Sequence, residues 1–64
     1  MTPYIELNWT SSEASAKKVA NNFGVKLVAF TETNNWPIAE FEGKAVRINR
    51  LEAWYNRGGD MREI

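Results

Sequence analysis

The 64-residue chain has no cysteine and no histidine. The first absence excludes disulfides, thiolate metal ligands and a cysteine nucleophile. The second removes the commonest general base and the commonest metal ligand together. There is no net charge, since eight basic residues meet eight acidic ones at a pI near 6.2, which argues against a general nucleic-acid coat protein. No apolar run reaches membrane-spanning length, and MTPYIELNWT lacks the charged-then-apolar form of a signal peptide. A soluble protein of a reducing cytoplasm is expected. No repeat, linker or low-complexity stretch divides the chain, so residues 1–64 read as one domain with 59–64 as a loose tail.

A chain this short buries only about 60% of its unfolded surface, so its stability should be modest. With no disulfide available, the staple is aromatic: Tyr4, Trp9, Phe23, Phe30, Trp36, Phe41, Trp54 and Tyr55. Such side chains bury roughly 150–250 Å² each, enough for a few of them to hold a small core. Trp9 and Trp36 are expected inside it.

Tyr4–Trp9 alternates, with Ile5, Leu7 and Trp9 on one side and Glu6 and Asn8 on the other, as in a half-buried strand. Thr10, Ser11 and Ser12 supply N-cap oxygens, and Glu13 falls where a helix dipole favours an acid. Ala16, Val19, Ala20 and Phe23 then recur at helical spacing while Lys17, Lys18, Asn21 and Asn22 face away, and Gly24 is a natural stop. Val25–Thr31 is rich in β-formers, with Val28 and Phe30 fitting one strand face, and Thr33-Asn34-Asn35 is a turn cluster. Pro37 suits a strand start or an edge. Ala39 and Phe41 then alternate with Glu40 and Glu42 up to a turn at Gly43.

Two assignments compete beyond Gly43. In the favoured one, Val46 and Ile48 form a short return strand and Asn49 caps a helix, with Glu52 three residues on. In the other, the helix starts right after Gly43 and buries Ala45, Ile48, Leu51 and Tyr55, with Val46 pointing outward. Gly58-Gly59 ends the helix in both. The expected fold is α+β, a small antiparallel sheet of three or four strands with two helices on one face, in the order β-α-β-β-(β)-α.

No pair of positioned acid–base groups stands out. Serines 11, 12 and 15 have no histidine partner, and no glycine motif cradles a phosphate. A non-enzymatic protein without a cofactor is expected. Glu40 and Glu42, two apart on one strand face, join Glu6 in a solvated acidic patch more readily than in a metal site. Arg50, Trp54 and Arg57 recur at i, i+4 and i+7, and Arg47 joins them if the helix begins early. Between residues 44 and 57, four basic side chains (Lys44, Arg47, Arg50, Arg57) face Glu52 alone, a local charge of 4 − 1 = +3. Arginine and tryptophan are enriched at binding hot spots. The alternative is that Trp54 packs at the core edge under arginine stems.

WPIAEFEGKAVRINRLEAWY resembles the wing and final helix of excisionase-type winged-helix domains of phages and transposons. The likeness lies in Trp36-Pro37, Ile38, Gly43, Arg47-Ile48 and the Leu51/Trp54 step. It implies a winged helix with a recognition helix between Val25 and Pro37, wing residues Glu42–Lys44 near a DNA backbone, and DNA contacts from Lys26, Asn34, Asn35 and Lys44. A helix at residues 25–35 would favour DNA binding; a strand there favours an interaction protein. In overall kind the chain is similar to the very small α+β proteins by which phages bind and disable host factors. The leading expectation is therefore a phage- or mobile-element-encoded binding protein, in the host cytoplasm, that modulates or inhibits a partner. Its contacts would be Arg47, Arg50, Trp54 and Arg57, with Glu40 and Glu42 as a second face, and an exposed edge strand leaves a homodimer open.

Overall fold

In a computed structural model, described for residues 3–58, five elements follow one another. They are β1 (Tyr4–Asn8), α1 (Glu13–Phe23), β2 (Lys26–Thr31), β3 (Ile38–Glu42) and α2 (Ala45–Asn56). The sheet order is β1-β3-β2, with β3 central and antiparallel to both neighbours. This is the α+β architecture expected, with three strands. The expected tail, 59–64, lies outside the described residues.

Alternation sorts the strands onto two faces. Ile5, Leu7, Ala39 and Phe41 point to the helix side, where Leu7, Ala39 and Phe41 form a buried core with Trp9, Ala16, Val19, Ala20, Ile48 and Leu51. Trp9 is fully buried, as expected, and its ring sits 5.5 Å from Phe41 and 6.5 Å from Trp54. Its indole Nε1–H donates to Ser15 Oγ at 2.9 Å, and Ser15 Oγ in turn donates to the Ser12 carbonyl at 2.8 Å. A buried indole N–H without an acceptor would cost far more than this bond contributes.

α1 begins and ends where its residues dictate. Ser12 is the N-cap and accepts from Ser15 N–H at 3.2 Å, Glu13 occupies the first turn, and Gly24 closes the helix at φ 69°. A Cβ at Gly24 would be strained by that φ and would also meet the Arg47 guanidinium at 3.1 Å. Arg47 lies across this glycine and donates from Nη1 to its carbonyl at 3.1 Å, joining α2 to the end of α1.

Three expectations are corrected. Val46 and Ile48 do not form a return strand; α2 starts at Ala45 with Lys44 as its N-cap, and Asn49 is inside the helix instead of capping it. The central strand is already paired on both sides, and Ile48 and Leu51 are needed over the core at helical spacing. Ala45 and Val46 are exposed, and Val46 remains 54% accessible. Second, Val28 and Phe30 do not share a face. The β2–β3 register slips between Leu27 and Ala29, so Val28 is an extra residue on the outer side while Leu27 and Phe30 pack on the core. Third, Trp36 is not in the core: it is 58% exposed in the β2–β3 loop.

Candidate functional site: the helix-free face of the sheet

Both helices cover the same side of the sheet, which leaves the other side bare. Register places its residues in three rows across β1, β3 and β2. The first is Tyr4, Glu42 and Lys26; the second is Glu6, Glu40 and Ala29, with Val28 beside them; the third is Asn8, Ile38 and Thr31. Trp36 stands beyond the third row. With Asn8, Thr33, Asn35 and Ile38 it lines a shallow depression of about 480 Å³. Thr33 holds this loop in shape: its hydroxyl donates to the Trp36 carbonyl at 2.7 Å and accepts from Asn35 N–H at 3.1 Å.

The face is acidic and aromatic. Glu6, Glu40 and Glu42 stand against Lys26, a charge of 1 − 3 = −2. The Tyr4 hydroxyl donates to the Glu40 carboxylate. That bond, with Glu6 also nearby, pushes the Tyr4 phenol above its ordinary range because ionising it would set a third negative charge beside two. Large apolar surface is open here too, with Tyr4 48%, Val28 38% and Trp36 58% exposed. A tyrosine left in the open on a sheet and a tryptophan in the loop at its end are typical of contact surfaces.

Other residues singled out in the sequence are scattered. Trp54 is half-buried, with its ring 5.6 Å from Phe23 and 6.5 Å from Trp9, at the edge of the core. Arg47 is engaged with the Gly24 carbonyl, while Arg50 lies exposed on α2 and Arg57 is exposed at its C-cap. Lys26 opens β2 and Lys44 caps α2 near Gly43, whereas Asn34 and Asn35 lie in the loop beyond the far end of β2. A six-residue strand separates the two groups by roughly 17–20 Å. Where the excisionase-type arrangement has a recognition helix, this chain has β2.

Among the described residues no three carboxylates converge as metal ligands, and no helix is long and apolar enough to cross a membrane. No family model, curated protein or solved structure matches the chain.

Sequence reasoning placed Glu40 and Glu42 on this face and joined Glu6 to them, but it missed Tyr4 and Trp36. Tyr4 was accessible from the β1 alternation, two residues before Glu6 on the same side. For Trp36 the signal was its position between a Thr-Asn-Asn turn and a proline, where the chain is in a loop.

Proposed function

We propose that this chain is a non-enzymatic binding protein that modulates or inhibits a partner protein by covering part of its surface with the helix-free sheet face. The observation that carries the proposal is the exposure of Tyr4 on the same face as Glu6, Glu40 and Glu42, and of Trp36 in the loop at its end, where it shares a depression with Asn8 and Ile38. A 64-residue domain needs its large aromatics for its core, and leaving two in water is accounted for by contact with something else. The likeness in kind to phage proteins that disable host factors makes a host protein the expected partner.

This shifts the weight from the arginine–tryptophan stripe of α2 to the sheet. Trp54 is occupied with Trp9 and Phe23, and Arg47 with Gly24, so that stripe keeps Arg50 and Arg57, which have no ion-pair partner among the described residues. The test compares Trp36→Ala with Glu42→Lys against Arg50→Glu with Arg57→Glu, with folding of both verified by circular dichroism. The sheet pair should lose the proteins that the wild type retains from host lysate, and the helix pair should keep them. The reverse pattern would transfer the function to α2.

A further inference from the structure

Glu6 and Glu40 are Cα partners on β1 and β3. Gly43 N–H donates to the Pro3 carbonyl and Trp9 N–H to the Pro37 carbonyl, which makes the odd positions of β1 the hydrogen-bonded pairs and Glu6–Glu40 a non-hydrogen-bonded one. Side chains approach most closely in such pairs, and like charges there destabilise a sheet. Among the described residues neither carboxylate has a lysine or arginine within ion-pair distance; the ion pair present is Lys17–Glu13 at 3.8 Å on α1. The Tyr4 hydroxyl, which donates to Glu40, holds that carboxylate on the face and brings one neutral donor to the pair without cancelling its charge. Roughly 7 Å along the strands, one row on, the acidic pair gives way to Asn8 and Ile38, with Trp36 beyond.

We propose that this face receives a protein segment that presents an arginine to the Glu6–Glu40 pair and an apolar side chain to Trp36 and Ile38. The proposal rests on the sheet-face reading above and adds the chemistry of the partner. Charge complementarity selects a cation, and the absence of converging carboxylates among the described residues argues against a compact metal ion. A guanidinium suits the pair because its planar fork carries five donors and can address two carboxylates at once. The same negative charge turns away phosphate, so a nucleic acid does not suit this face. A second copy would have to offer the basic side chains of its helices, Lys17 and Lys18 on α1 or Arg47 and Arg50 on α2, on the far side of its core. Such a contact would be head-to-tail, leaving a sheet face open at the end of every assembly that does not close into a ring.

The probe is a capped synthetic peptide alternating arginine and leucine, titrated into the ¹⁵N-labelled full chain, with a glutamate-for-arginine peptide as its counterpart. The arginine peptide should shift the amides of Glu6, Ile38 and Glu40 and the Trp36 indole, and raising the salt should weaken it severalfold. The acidic peptide should shift none of them. Glu6→Gln should weaken peptide binding about fivefold to tenfold while raising the melting temperature by roughly 2–4 °C, because it removes a like-charge repulsion that a bound cation would otherwise offset. Glu40→Gln, which keeps an acceptor for Tyr4, should behave the same way. Unchanged affinity in both variants, with binding abolished by Trp36→Ala, overturns the arginine assignment and leaves the sheet-face reading standing. Shifts confined to α2 overturn both. Concentration-dependent sedimentation of the chain alone, abolished by Glu6→Gln, overturns the proposal in favour of a second copy.

Discussion

At the residue scale, two hydroxyl groups do very different things. Ser15 is buried under Trp9 and gives the indole its acceptor. Ser15→Ala leaves that N–H in a dry core, so it should destabilise the fold by about 1–3 kcal/mol in urea unfolding. In a Trp9→Phe background the same change should cost much less, since no donor is left to orphan. Equal costs in the two backgrounds would refute the pairing. Tyr4 is half exposed, and its hydroxyl belongs to the charge pattern of the sheet face. Its folded-state pKa lies above the ordinary 10.0. From neutral pH upward the stability that the Tyr4–Glu40 contact contributes is therefore fully present up to pH 10 and is lost as pH rises further through the folded value. Phenolate absorbance should show one tyrosine ionising late in the folded protein, and Tyr4→Phe should remove that phase. If the late phase survives Tyr4→Phe, the assignment is wrong.

At the element scale, the two helices differ in how fully their ends are specified. α1 has a serine cap, an acid in its first turn and a left-handed glycine at its end. α2 has Lys44 at its N-cap with no side-chain hydrogen bond, no acid in its first turn, and Arg47 where the dipole disfavours a cation. Lys44 already has the extended backbone of an N-cap, at φ −65° and ψ 142°. Lys44→Asp should therefore stabilise the protein by about 1 kcal/mol, read as a higher urea midpoint. No gain would mean that the contacts of Lys44 outweigh its poor capping. The same contrast explains what the residues reveal before folding is seen. α1 was readable to within a residue, and β1 and β3 were readable from alternation. For α2 the residues leave two starts open, and the one right after Gly43 is the one observed; the other is favoured in the sequence because Lys44 gives no capping signal and Val46-Arg-Ile48 imitates a strand. What decides the matter is tertiary: β3 has β1 and β2 on its two sides, and Ile48 and Leu51 must cover Phe41 and Trp9. The bulge at Val28 was equally hidden, since a period of two cannot show a one-residue slip. The bare face followed the same division. Its carboxylates were visible in the alternation of β3, while Trp36 needed the loop to be placed.

At the scale of the whole molecule, the order of assembly bears on the binding face. β2 and β3 are joined by a short loop, and Lys26 pairs with Glu42 across 42 − 26 = 16 residues. β1 closes on the other side of β3, with Tyr4 opposite Glu42 across 42 − 4 = 38 residues. The longer closure costs more chain entropy before any contact repays it. The β2–β3 hairpin should therefore be formed in the folding transition state, and β1 should dock afterwards. Ile5 and Leu27 occupy equivalent half-buried places beside Phe41, one on each outer strand. Each truncation to alanine should cost about 1–3 kcal/mol, and the kinetics should divide them. Leu27→Ala should mainly slow folding, and Ile5→Ala should mainly speed unfolding. Should Ile5→Ala instead slow folding as much as Leu27→Ala does, β1 is already docked at the barrier. The consequence reaches function because β1 supplies Tyr4 and Glu6 while β3 supplies Glu40 and Glu42. If β1 is also first to leave, native-state hydrogen exchange should be faster at Ile5 and Leu7, whose N–H groups bond to β3, than at Glu40 and Glu42, whose N–H groups face β2. Each such opening separates Glu6 from Glu40, so the acidic pair exists as one site only while β1 stays docked.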